Sequence, residues 1–253
     1  MSNIFARGLK LFDGIINKAV DNYPTFLQIK SVFSDEWYNF IVPLVPPTQL
    51  DWPHAKTIIA AEKIHGISMS YYIPDQYIDA YKQHFLLQDQ QDNLSSDIYI
   101  SKKVDQELSP VGKLILIDDQ TITTYIKMAK TCFPEWANNE EYALHMYDHQ
   151  KNNTRTIVLN YLLVHNNEQV GFCGLIGSTN TNLAYFHNTG VLPQFRRKGY
   201  FTAIIQHLIK VTKSLGIHDT YALVEQDSGS YHGLLKLGYS VEDKYHLFSS
   251  TPH

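Results

Sequence analysis

Between Asn188 and Thr202 the chain reads Asn-Thr-Gly-Val-Leu-Pro-Gln-Phe-Arg-Arg-Lys-Gly-Tyr-Phe-Thr, and this stretch constrains the fold more tightly than any other. An apolar strand from Leu183 to Leu192 stops at Pro193, which has no N–H to continue a ladder. A turn holding Arg196, Arg197 and Lys198 follows, and Gly199 opens a helix predicted from about Phe201 to Leu215. The first turn of a helix leaves backbone N–H groups unpaired and carries partial positive charge. A tight turn ending in Gly aims those donors at one point, which suits a phosphate or pyrophosphate. From Phe186 to Gly216 there are five basic residues and no acidic one, in a chain whose net charge is −4. Two readings of Arg-Arg-Lys stand here: a local anion-binding field, or a solvated surface turn.

The flanking pattern supplies an order of elements. Lys113 to Ile117 reads as a strand, with Asp119 placed to cap a helix reaching about Cys132, and a second helix fits Asn139 to His149. Residues 156–164 and 170–176, joined through Asn166-Asn167, read as an antiparallel hairpin. After the strand at 183–192 come the helix, a strand at Thr220 to Val224, a helix at Ser230 to Leu237 and a strand at Tyr239 to Phe248. The order is βααβββαβαβ.

The first part is less punctuated. Phe5, Leu9, Phe12, Ile16 and Ala19 recur at helical spacing, and a mixed stretch from Phe26 to Phe40 ends at Pro43, Pro46 and Pro47. A helix is expected over His54 to Lys63 with Gly66 as its cap, then a strand over 68–74. Pro74-Asp75 opens a helix through Tyr77, Ile78, Tyr81 and Phe85, and a polar tract over 88–97 leads to a short strand at Asp97 to Ser101. Tyr77, Lys82, Phe85 and Asp89 repeat the spacing of Tyr231, Lys236, Tyr239 and Asp243, a weak internal echo. At roughly 150 residues per domain, 253 residues allow two domains, drawn at 1–112 and 113–253.

Composition excludes several classes. A pI near 6.3 argues against a general nucleic-acid binder. No uncharged apolar run reaches the length of a membrane span or of a signal core, so a soluble cytoplasmic protein with no membrane or nucleic-acid partner is expected. Cys132 and Cys173 have no near partner, which points to free thiols rather than a disulfide or a zinc site. The 12 histidines show no metal-ligand spacing on one element, and no metal is expected. Motifs for nucleotide phosphates, dinucleotides, zinc proteases and serine hydrolases are absent.

The pattern Val191-x-Pro193-x-x-Arg196-x-x-Gly199-x-Phe201 resembles the acyl-CoA-binding motif of the GCN5-related N-acetyltransferase (GNAT) superfamily, R/Q-x-x-G-x-G/A after a V-x-P strand end. Leu234-Leu-Lys-Leu-Gly-Tyr239 is similar to that family's LYEKLGF segment, and the element order from Lys113 to Phe248 follows its fold. The resemblance implies an α/β (α+β) architecture, with a mixed, mostly antiparallel sheet flanked by helices. A smaller N-terminal α/β domain would precede it, readable as a degenerate GNAT-like half or as an unrelated cap, with a dimer surface among its expected uses.

The resemblance also implies roles. Gly190, Val191 and Leu192 would pair with the pantetheine arm of acetyl-CoA. The amides of Arg197, Lys198, Gly199, Tyr200 and Phe201, with Thr202 behind them, would hold its pyrophosphate, and Arg196, Arg197 or Lys198 would add charge. Asp227 stands where the family usually has an Asn that helps hold the cofactor. The implied reaction is direct transfer of an acyl group to an amine of an unidentified small molecule or protein. An N–H near Val191 or Leu192 would stabilise the oxyanion, and Glu225, then His187, are candidate bases. Two departures matter: Phe201 occupies a small-residue position, and Leu234 occupies the place of the usual acid Tyr, leaving Tyr231 or His232 as substitutes. The plainer readings are Glu225 as a strand-end surface charge, His187 as a satisfied strand histidine, Tyr231 as core and His232 as solvent-facing. A non-catalytic acyl-CoA binder and a plain anion-binding domain remain alternatives.

Overall fold

The computed structural model describes residues 3–86, 94–103, 109–136, 138–152 and 156–249. The chain divides into two compact units, Met1–Tyr99 with Glu242–His253, and Ile100–Val241. The sequence-based boundary at 112 differs at two places: residues 100–112 belong to the second unit, and the last strand belongs mostly to the first.

In the first unit, α1 (Asn3–Phe12) is followed by β1 (Asn17–Asn22), β2 (Phe26–Ser31) and β3 (Phe40–Pro43). The helical spacing seen through Ala19 therefore overshoots: Gly14, at φ 72°, breaks the helix, and the chain continues as a strand. α2 (Trp52–Ile64) carries Pro at its start and is capped by Asp51, whose side chain accepts from the His54 N–H at 3.2 Å. It leads to β4 (Ser70–Pro74) and, through one tight turn, to α3 (Ile78–Leu86). The pairing β1-β2-β3 is antiparallel and β3-β4 parallel; the returning strand β11 (Ser240–Ser249) lies antiparallel to β4, with Tyr245 opposite Pro74 and Ser249 opposite Ser70. Phe26, Ile41, Met69, Ile73, Tyr81, Phe85 and Phe248 form a core between helices and sheet. Asp89 of the internal echo, and the polar tract up to Asn93, lie outside the described residues.

The second unit has the order expected from the sequence: β6 (Lys113–Leu116), α4 (Ile122–Cys132), α5 (Asn139–Asn152), β7 (Ile157–His165), β8 (Glu168–Ser178), β9 (Leu183–Val191), α6 (Tyr200–Ser214), β10 (Asp219–Glu225) and α7 (Gly229–Lys236). The end of β5 (Leu94–Lys103) lies beside β10, where Thr220 Oγ1 donates to the Lys102 carbonyl at 3.0 Å. From β6 to β9 neighbours are antiparallel, and β9-β10 is parallel across the α6 crossover. The β7-β8 hairpin turns at Asn166 and Asn167, both at positive φ (51° and 64°), as a two-residue turn between twisted strands requires. Asp118, not Asp119, organises the start of α4: it accepts from the N–H groups of Gln120 and Thr121. Asp119 instead bonds Tyr147 and Lys151 of α5.

Helices cover opposite faces of this mostly antiparallel sheet. Phe172 of β8 packs edge-on against Tyr125 of α4, with ring centroids 5.3 Å apart, whereas adjacent Gly171 faces Ile204 of α6. α6 buries Ala203, Ile204, Ile205, Leu208, Ile209 and Thr212 along one stripe. Among the described residues no helix is long and apolar enough to cross a membrane.

Candidate functional site

The site begins where two strands part. β9 runs to Val191 and β10 to Glu225, yet they pair only at Leu183–Asp219, Ala184–Thr220 and Tyr185–Tyr221. Beyond Tyr185 the edge of β9 that faced β10 is left open, and an extended chain can add to such an edge through backbone hydrogen bonds. β9 also bulges. Phe172 pairs with Gly190 and Gly174 with His187, so Asn188 and Thr189 share the place opposite Cys173, and Asn188 takes φ 45°. The Leu192 N–H donates to the Val170 carbonyl at 3.1 Å, which removes Leu192 as an oxyanion donor. Antiparallel ladders alternate inward and outward groups, so the N–H of Val191 turns toward the open edge.

The strand continues into the anion-binding turn. Gly199 is the N-cap of α6 at φ 84°, a left-handed conformation that glycine adopts without steric cost. A cap without a side chain uses up none of the helix's donors. Arg197 is left-handed too, at φ 63°. The Lys198 N–H closes the tight turn through Arg196 and Arg197. The backbone N–H groups of Arg197, Gly199, Tyr200, Phe201 and Thr202 have no backbone partner among the described residues, and the first helical bond runs from Ala203 N–H to the Gly199 carbonyl at 3.0 Å. These five donors, some from left-handed backbone and some from a helix start, form a concavity for an anion. A Cβ on Gly199 would meet nothing within 4 Å, so the concavity is open there.

The side chains around this turn are not all where the sequence placed them. Arg196 folds back, its Nε donating to the Val191 carbonyl at 3.1 Å, where Cys132 Sγ also approaches at 3.4 Å. Burial pushes the Cys132 thiol pKa up, and the nearby guanidinium opposes that shift. Lys198 lies over the Phe195 ring at 5.4 Å. The Tyr200 hydroxyl stands 2.9 Å from His165 Nδ1 on the β7-β8 hairpin. Phe201 leans on α7, where Gly233 leaves room: a Cβ at 233 would stand 2.8 Å from Phe201 Cε1. The bulky residue at the motif's small position is thus accommodated by a glycine on the next helix, a pairing invisible in the motif itself.

The remaining candidates divide. Glu225 is exposed at the end of β10, on the strand that has left β9. Asp227 is exposed at φ 62° in the turn before α7, and Ser228 caps that helix by accepting from the Tyr231 N–H at 3.1 Å. Tyr231 is half-buried with its ring beside exposed His232, and Leu234 is only 1% exposed. His187 is buried over Gly174, its Nδ1 3.0 Å from the Tyr142 hydroxyl, while Nε2 has no partner among the described residues. Burial pushes its pKa down to about 3. That is the wrong direction for a group that must take a proton near neutrality, so the structural strand histidine is the better description of His187. Sequence reading missed His165, Tyr142, Gly233 and Ser228; only Ser228, ahead of an apolar helix, carried a local signal. Cys132 and Cys173 are both free thiols.

Residues 122–239 match the acetyltransferase (GNAT) family. Among solved structures, a GCN5-related N-acetyltransferase from Kribbella flavida is similar with a TM-score of 0.68 at 12% identity, covering 99% of this chain and 95% of that one. A GCN5-related N-acetyltransferase from Sphaerobacter thermophilus gives 0.66 at 13% identity, covering 98% and 86%. A tandem GNAT protein from the clavulanic acid biosynthesis pathway gives 0.57 at 9% identity, covering 98% and 88%. No curated protein sequence matches the chain. The parted strands, the bulge, the Gly199 turn and the match to the acetyltransferase (GNAT) family all fall in one segment, residues 122–239.

Proposed function

We propose that this protein is an acyl-CoA-dependent N-acyltransferase, with acetyl-CoA as donor and an amine as acceptor. The observation that carries this reading is the set of five N–H groups without a backbone partner, those of Arg197 and of Gly199 to Thr202, continuous with the strand edge that β10 leaves open. The chain's groups fit such a donor in kind. The turn offers fixed dipoles and the exposed Arg197 and Lys198 to a pyrophosphate, and the open edge of β9 offers the Val191 N–H to an amide-bearing arm. The mild acidity elsewhere favours a cationic acceptor.

Acetyl-CoA supplies an acyl group already activated as a thioester. Catalysis then rests on positioning. The turn and the strand edge fix one reactant, and the Val191 N–H is aimed to stabilise negative charge on the carbonyl oxygen. Glu225, exposed where the strands have parted, is the group proposed to accept the proton of the acceptor ammonium. No replacement for the family's Tyr acid is required in principle, since a thiol with a pKa of about 8.5 leaves readily as thiolate. Free thiols at Cys132 and Cys173 support a reducing, cytoplasmic setting.

The test is calorimetric titration with acetyl-CoA, CoA and ATP. Saturable binding of acetyl-CoA that ATP does not reproduce supports the reading; a folded protein that binds none overturns it. One observation favours a second reading, a non-catalytic acyl-CoA binder: buried Leu234 stands in the place of the usual acid. Acyl transfer to any member of an amine panel removes that reading. For the first unit we propose a degenerate GNAT-like half without a donor site. The tandem GNAT neighbour and the coverage of nearly the whole chain support it. A stoichiometry of one CoA per chain is expected, and two would overturn it.

A further inference from the structure

The Gly199 turn needs an anchor that leaves its amides free. α6 starts without a side-chain cap, and Arg197 holds a left-handed conformation that costs a non-glycine residue about 1 kcal/mol or more. Such backbone persists only where its surroundings over-determine it. The Lys198 N–H closes the turn, and the other restraints come from outside the five open N–H groups. Arg196 Nε grips the Val191 carbonyl, and the Phe195 N–H closes on the Leu192 carbonyl at 2.8 Å. Tyr200, the first residue of the helix, is tied by its hydroxyl to His165 Nδ1 at 2.9 Å and by its ring to Phe195, edge-on at 6.2 Å.

We propose that His165 is a positioning residue for the acyl donor: through Tyr200 it pins the first turn of α6, so that the amides of 197 and 199–202 stand pre-organised for the pyrophosphate. This rests on the acyl-CoA reading above. His165 lies on the β7-β8 hairpin, remote in sequence from the motif, and touches the donor site only through the Tyr200 side chain. Because the tether uses a phenol rather than a backbone group, it orders the helix start without consuming a donor that the anion would need.

Four proteins test it: wild type, His165→Leu, Tyr200→Phe, and His165→Asn, whose amide stands where Nδ1 did. The loss of one hydrogen bond is expected to weaken CoA binding about three- to tenfold in His165→Leu and in Tyr200→Phe, with partial recovery in His165→Asn. In His165→Leu the KM for acetyl-CoA rises while kcat at saturating donor is kept. With acetyl-pantetheine, which has no pyrophosphate, wild type and His165→Leu are expected to perform alike. In the free protein, hydrogen exchange at the Ala203 amide, which closes the first bond of α6, is expected to quicken in His165→Leu.

Unchanged CoA affinity in both the Leu and Phe variants overturns the proposal, as does an equal loss with both donors, which would mark a merely structural role. An unchanged Ala203 exchange rate also overturns it, and that readout needs no ligand. Wild-type protein that binds no CoA overturns the acyl-CoA reading itself, and this inference with it. The wild-type titration tells the two failures apart. Tyr200→Phe, which only removes a hydroxyl, keeps the test decisive if His165→Leu does not fold.

Discussion

Phe201 lies so close to Gly233 that a Cβ at 233 would stand 2.8 Å from one ring carbon and 2.9 Å from the next. The first turn of α6 and the middle of α7 are thereby fitted to each other by one large and one absent side chain, and the contact sits directly behind the donor turn.

Gly233→Ala is expected to cost about 1–3 kcal/mol, the range for forcing an extra methyl group into a packed contact. In a Phe201→Ala background the same substitution should be neutral or stabilising, because alanine is favoured over glycine in a helix by about 1 kcal/mol. Urea unfolding of the four proteins measures the coupling; additive effects would show that the ring does not bear on Gly233.

Gly199 separates conformational strain from charge. Gly199→Ala meets open space and bears only the left-handed penalty of about 1–2 kcal/mol. Gly199→Glu adds a carboxylate beside the free amides, where it competes with and repels an incoming phosphate. CoA affinity is expected to fall by about tenfold or more in Gly199→Glu, and clearly less in Gly199→Ala, by calorimetry. Equal affinities would place the anion site elsewhere.

His187 gives a pH signature. In the unfolded chain its imidazole takes up a proton near 6.5, but buried in the fold it does so only at about 3. Between those values the unfolded state holds the extra proton, so this residue makes stability rise with pH by about 1.4 kcal/mol per unit. The contribution is fully present above 6.5 and is lost progressively as the pH falls. Stability curves from pH 4 to 7 for wild type and His187→Gln should differ in slope by that amount; parallel curves would show that the ring titrates normally.

Glu225→Gln is expected to slow acyl transfer while leaving CoA affinity unchanged, because Glu225 lies on β10 beyond the parted strands and not in the donor turn. An unaltered transfer rate would pass the role of base to solvent or to another residue.

Much of the second unit was readable from the chain alone. Pro193 ends a strand because it has no N–H, Gly199 permits a left-handed turn, and Asn166-Asn167 dictates a hairpin; each is a local steric fact that holds wherever the segment sits. Periodicity was a weaker guide. The apolar spacing from Phe5 to Ala19 continued past the point where Gly14 turns the chain into β1. Two adjacent aspartates precede α4, and only the fold shows that Asp118 rather than Asp119 reaches Gln120 and Thr121.

The sequence by itself determined the order of elements and the strand–turn–helix that bears the five open amides, because these follow from backbone sterics over a few residues. Tertiary structure alone decided that β9 and β10 part after Tyr185, that β11 returns to β4, that Phe201 finds its space at Gly233, that His165 reaches Tyr200, and that His187 is sealed from water. Each of these joins residues from separate elements. Such pairings depend on which faces the whole fold brings together, and no local pattern encodes that.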